Sequence, residues 1–145
     1  MVGLAKRKQR SESIIEIIKR MQDENTVVIV EGKHDIKALD SMIEYLSGNG
    51  LISDKAIKAV TIDMLRYCHL DIDGKKIIIA TDNDRSGIDK KEQAIALIRV
   101  KYPHSTIDEN TGTRLLKILG TNCIEGIIRP IMDMFSIDEF FNLMR

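Results

Sequence analysis

Two short β-branched runs, each ending in an acidic turn, constrain this chain more than any other feature. Val27-Val28-Ile29-Val30 leads into Glu31-Gly32-Lys33-His34-Asp35, and Ile77-Ile78-Ile79-Ala80 leads into Thr81-Asp82-Asn83-Asp84-Arg85-Ser86-Gly87. Apolar runs without polar alternation belong to strands covered on both faces, and so to a parallel sheet between helices. Helical spacing fills the intervals. Ile36, Leu39, Ile43 and Leu46 follow the first turn on one helix face, and residues 88–100 follow the second, stopping before Pro103.

The remaining segments are shorter. Residues 57–60 and 105–107 read as strands, with a short helix over 63–69. Ser13 and Glu16 form a capping-box pair for a helix carrying Ile14, Ile15, Ile18 and Met21. Gly120 terminates a helix over 113–119, and Ser136 with Glu139 caps one from Ile137 to Met144. Strands alternating with helices give an α/β fold: about four mostly parallel strands sandwiched between helices, joined by right-handed crossovers. Extra helices flank it at both ends.

A length of 145 residues, without repeats or a linker, predicts one domain over 1–145. Its core spans about 25–107, with a helical N-terminal extension over 1–24 and a C-terminal extension over 108–145. No apolar run approaches the roughly 20 residues that cross a bilayer. Two cysteines, Cys68 and Cys123, fit a reducing compartment, so the expected location is the cytoplasm, with no membrane partner. Twenty-two basic and 22 acidic side chains cancel, so a nucleic acid must be held locally rather than by a whole-chain field. At 4% aromatic residues and no Trp, the composition argues against a base-stacking platform for single strands. Lys6-Arg7-Lys8-Gln9-Arg10 is a local basic cluster and reads as a solvated, frayed terminus.

Ligands of open parallel sheets bind outside the carboxyl ends of the strands, where both acidic turns fall. If the two strands are neighbours, Glu31, Asp82 and Asp84 converge. Converging carboxylates raise one another's pKa unless a cation offsets them. Oxygen-only donors select a hard ion, Mg²⁺ or Mn²⁺, which takes one or two carboxylates plus substrate phosphate. Asp82 and Asp84 suit that role, with Glu31 moving protons or completing the metal shell. Gly32 and Gly87, at turns into helices, allow positive φ or close approach of a phosphate. Lys33 and Arg85 beside them are placed to neutralise a phosphodiester, and His34 either touches substrate or caps its helix. Taken singly, Asp-x-Asp is common in turns and at helix N-caps. The joint pattern, with each motif ending a strand and a helix between, is far more specific.

These two segments resemble the motifs of the toprim domain, the module shared by topoisomerases, bacterial-type primases and several nucleases: a Glu after one strand, then Asp-x-Asp with a nearby Gly after another. The resemblance covers about 25–107. It implies a four-stranded, mostly parallel sheet and a Mg²⁺-dependent site for breaking or joining phosphodiesters, with Glu31 as general acid/base and Asp82 and Asp84 on metal. Topoisomerases need a nucleophilic tyrosine on further domains, whereas Tyr45, Tyr67 and Tyr102 all fall in or beside expected helices. Primases add a zinc-binding domain, which is missing from this sequence. The chain is most similar to the small stand-alone toprim proteins, archaeal ones and the ribonuclease that matures a ribosomal RNA precursor among them.

The expected function is therefore a small Mg²⁺-dependent toprim nuclease acting on RNA or DNA. The alternative is a non-catalytic toprim module docked on a larger nucleic-acid-processing complex. Response-regulator receivers and Asp-x-Asp phosphatases order their motifs differently along the chain. Cys68-His69 does not read as zinc ligands, because adjacent side chains point apart and Cys123 and His104 lack ligand spacing. Met132, Met134 and Met144 near Phe135, Phe140 and Phe141 read as core or as the contact of a homo-oligomer.

Overall fold

A computed structural model describes residues 3–143. The strands are β1 (Thr26–Val30), β2 (Ala59–Thr61), β3 (Lys76–Ile79) and β4 (Thr106–Asp108). The helices are α1 (Leu4–Met21), α2 (Lys33–Gly48), α3 (Ile62–Tyr67), α4 (Arg85–Lys101), α5 (Thr111–Leu119) and α6 (Ile128–Leu143), with a single 3-10 turn at Ile124–Gly126. All neighbouring strands pair in parallel, in the order β2-β1-β3-β4.

That order creates a topological switch point. The connection from β1 leads to β2 on one side, and the connection from β3 leads to β4 on the other. Outgoing crossovers diverge between β1 and β3, which leaves a crevice outside their carboxyl ends. The register pairs Ile29 with Ile79, so Glu31 and Asp82 leave the sheet at nearly the same level.

Side-chain alternation sorts the strands' residues into two cores. Val28, Val30, Ile78 and Ala80 pack with Ile14, Ile18, Leu39, Met42, Leu115, Ile131 and Phe135, burying one face beneath α1, α2, α5 and α6. Val27, Ile29, Ile77 and Ile79 pack with Leu65, Ala94, Ile95 and Ile98, burying the other beneath α3 and α4. All five residues of β1 are buried, as an unbroken apolar run between two helical layers requires.

Several boundaries differ from the sequence expectation. Helix α1 starts at Leu4 rather than Ser13, because Ala5 to Gln9 are good helix formers that carry the helix beyond the end of its apolar stripe. The basic run, expected as a solvated terminus, therefore lies within the helix and stays largely exposed. Helix α6 starts at Ile128 rather than Ile137, and Ser136 lies inside it instead of capping it. Pro130 is tolerated there because first-turn N–H groups have no helical partner. Met144 lies outside the described residues. Strand β2 is displaced to Ala59–Thr61, where its partners are Val28 to Val30. Gly120 closes α5 in the left-handed conformation, φ 70°, as expected.

Candidate functional site

The site is built from two strand ends and the first turns of the helices that follow them. Glu31, directly after β1, is largely buried: its side chain retains 13% of its exposure. The Asp82 backbone N–H donates to Glu31 Oε2 at 2.6 Å, tying the two strand ends together across the switch point. Lys90 on α4 donates to Glu31 Oε1 at 2.7 Å. Both Glu31 oxygens are thus engaged, one by a backbone dipole and one by an ammonium. The Lys90 ammonium is in turn held above its usual pKa, first by the hydrogen bond to Glu31 and then by its charge, with Asp82 and Asp84 adding to it.

Asp82 has no such compensation. Its Oδ1 is buried and has no hydrogen-bond partner among the described residues. Burial, then the charge and hydrogen bonding of Glu31, push its carboxyl from 3.8 up to about 6. Asp35 and Asp84 raise it further. Thr81, 1% exposed, also has a buried hydroxyl without a partner. Unsatisfied buried oxygens collected at one strand end are uncommon in a structure that serves only folding.

Asp84 caps α4, its Oδ1 accepting from the Gly87 N–H at 2.7 Å. Asp35 plays a similar part for α2, its Oδ2 accepting from the Gly32 N–H at 3.0 Å. Burial outweighs that hydrogen bond, so the Asp35 carboxyl is also pushed up, with the Glu31 charge contributing. Glu31, Asp35 and Asp84 thus each lie close enough to Asp82 to raise its carboxyl, and Lys90 on α4 is paired with Glu31.

Of the two roles expected for Gly32 and Gly87, positive φ is excluded. Neither has positive φ, and Gly32 is extended at φ −151°. A Cβ at Gly32 meets nothing within 4 Å, so the entrance to α2 stays open. A Cβ at Gly87 would lie 2.0 Å from the Asp82 carbonyl oxygen. Gly87 is therefore required by the close approach of α4 to the end of β3. Gly112 likewise brings α5 against β3, where a Cβ would lie 2.5 Å from the Ile79 carbonyl oxygen. Asn83 is fixed through its N–H to the Asn122 carbonyl at 2.7 Å.

Lys33, His34 and Arg85 are exposed on the first turns of α2 and α4. Lys90 and Asp35 were not singled out as site residues from the sequence. The Lys90–Glu31 pair spans 59 positions, which no local pattern reveals. A usable signal was the spacing of Lys90 from Gly87, three residues along one helix face.

A divalent cation fits this donor set. The donors are all oxygen, Asp82 offers a buried oxygen without a partner, and Asp84 stands close enough to raise the Asp82 pKa. Among the described residues, no three His, Cys, Asp or Glu side chains stand together as a ready cage. Mg²⁺ does not need one, since it commonly takes one or two carboxylates and keeps its waters.

Fold and site together define a parallel α/β protein with its acidic residues gathered at the topological switch point. A family model of the toprim domain matches residues 26–115, and the chain belongs to that family. The family comprises metal-binding proteins that process nucleic acids. The match begins at Thr26 and extends past Ile107 to Leu115, so it includes the approach of α5 to β3. No curated protein matches the chain, and no solved structure does. No described helix is long and apolar enough to cross a membrane.

Proposed function

We propose that this chain is a small Mg²⁺-dependent nuclease of the toprim family, acting on phosphodiesters of RNA or DNA. The observation that carries this reading is the junction of Glu31 with Asp82 across the switch point, where one Asp82 oxygen is buried without a partner. Asp82 and Asp84 would hold the cation, with Glu31 moving protons or completing the metal shell. Bound there, Mg²⁺, or Mn²⁺ in its place, would offset the carboxylate charge and polarise a phosphodiester oxygen.

The protein's own groups supply the rest. Glu31 acts as general acid/base, its carboxylate aimed by the Asp82 N–H and the Lys90 ammonium. Lys33, His34 and Arg85 meet the substrate's phosphates from the rim. Gly32 places no side chain over the α2 N-terminus, where a phosphate gains from the helix dipole. Gly87 holds Asp82 and Asp84 in their turn.

One observation favours a second reading, a non-catalytic module docked on a nucleic-acid-processing complex: both Glu31 oxygens are already engaged. One experiment separates the two. End-labelled structured RNA, single-stranded DNA and duplex DNA are incubated with the protein in Mg²⁺, Mn²⁺ or EDTA, with Asp82→Asn as control. The nuclease reading expects metal-dependent cleavage that the variant lacks. Absence of cleavage across the panel, or equal cleavage by Asp82→Asn, refutes it.

A further inference from the structure

Helix α1 reaches beyond what the core uses. Only Gln22 to Asn25 separate it from β1, and it packs beside β1 on the sheet, so it runs antiparallel to the strands. Counting back from Met21, Arg10 stands about 16 Å up the helix and Lys6 about 22 Å, at 1.5 Å per residue. From Thr26 to Val30 β1 rises about 13 Å. Lys6 to Arg10 therefore lie about 3 to 9 Å past the carboxyl end of β1. Burial agrees: no side chain from Ala5 to Arg10 is buried, whereas Ser11 is.

The charge of this segment does not help it fold. Lys6, Arg7, Lys8 and Arg10 occupy the first turns of a helix with no acidic residue there, at the positive pole of its dipole. Lys6 and Arg10 stand four residues apart as like charges, which is also unfavourable. None of the four pairs with an acid among the described residues. Because the whole chain is neutral, the remainder carries a surplus of four acidic groups. Helix α5 packs against α1 and starts at the same end of the sheet, with Arg114 exposed on its first turn. From Ala5 to Arg10 there is no large apolar side chain to enter a bilayer, which disfavours a lipid surface.

From these placements we infer that the first turns of α1, with Arg114, form a phosphate-binding shelf for the backbone of the nucleic acid processed at Glu31 and Asp82. The inference rests on the nucleic-acid reading of the site. The shelf grips a strand away from the reacting bond, supplying the local attraction that a neutral chain otherwise lacks.

The test uses the full chain and a variant carrying Lys6→Gln, Arg7→Gln, Lys8→Gln and Arg10→Gln, which keeps helix propensity. Binding of fluorescein-labelled single-stranded RNA, single-stranded DNA and duplex DNA is followed by anisotropy over a KCl series, with Ca²⁺ replacing Mg²⁺ so that probes survive. The slope of log affinity against log salt should fall by about 2 to 3 for single strands, and affinity at roughly 100 mM salt should drop by about 30-fold or more. The variant's melting temperature should hold or rise, since like charges leave the positive end of a helix. An unchanged slope and affinity would overturn the shelf while leaving the nucleic-acid reading intact. No binding of any probe by the natural chain would overturn both. Binding confined to phosphatidylserine vesicles, lost in the variant, would reassign the surface to a membrane and overturn the inference.

Discussion

Replacing Asp82 by Asn should stabilise the metal-free protein while removing its function. The Asp82 carboxyl is pushed from 3.8 up to about 6 by burial and by Glu31, so it binds its proton more tightly folded than unfolded. Such a group contributes fully to stability below about pH 4, and the contribution is lost as pH rises through 6. At 1.36 kcal/mol per pKa unit the displacement corresponds to about 3 kcal/mol, and solvent reaching the cluster reduces the expected effect to roughly 1–2 kcal/mol. Asn has nearly the same shape and no charge. Urea unfolding in EDTA should show Asp82→Asn more stable than the natural chain by that amount at pH 7.5, with the gap closing towards pH 4. Mg²⁺ should stabilise the natural chain more than the variant. A variant that gains nothing at pH 7.5, or a gap independent of pH, would refute the electrostatic argument.

Lys90→Met keeps the aliphatic stem and removes the ammonium from Glu31; it should lower the urea midpoint by about 1 kcal/mol equivalent. The same change should tighten Mn²⁺ binding several-fold, because a positive charge leaves the cation's neighbourhood; unchanged affinity in a titration would contradict it. Gly87→Ala should cost about 3 kcal/mol or more through the clash with the Asp82 carbonyl, whereas Gly32→Ala, with open space around it, should cost less than about 1 kcal/mol. Thermal unfolding of the pair checks that contrast. Thr81→Val should be neutral or stabilising by up to about 1 kcal/mol, since it removes a buried hydroxyl that has no partner among the described residues.

The strands that carry the site were legible because β1 and β3 are buried on both faces, and burial leaves an unbroken apolar run in the sequence. Their acidic ends were legible for the same reason: Glu31 and Asp82 follow directly where the apolar run stops. Strand order was not. That β1 and β3 are neighbours depends on pairing between residues some 50 positions apart, for which the sequence carried only a condition. Elements whose ends are set by neighbours were shifted. Strand β2 is positioned by its register against β1, and α1 continues through a polar stretch that periodicity does not register. The capping pair at Ser13 and Glu16 pointed to a start that the helix passes through, because a cap matters only where the backbone actually turns. Lys90 was invisible because its partner is distant in sequence, and charged residues on a helix face mostly meet solvent.

The central claim is that the carboxylates at this switch point hold a divalent cation. Mn²⁺ binding followed by electron paramagnetic resonance tests it without requiring a substrate. The natural chain should bind about one Mn²⁺ per molecule, displaceable by Mg²⁺, consistent with a site of one or two carboxylates. Asp82→Asn and Asp84→Asn should each lose that binding while remaining folded by circular dichroism. Undetectable binding by the natural chain, or full stoichiometric binding retained by both variants, would contradict the account.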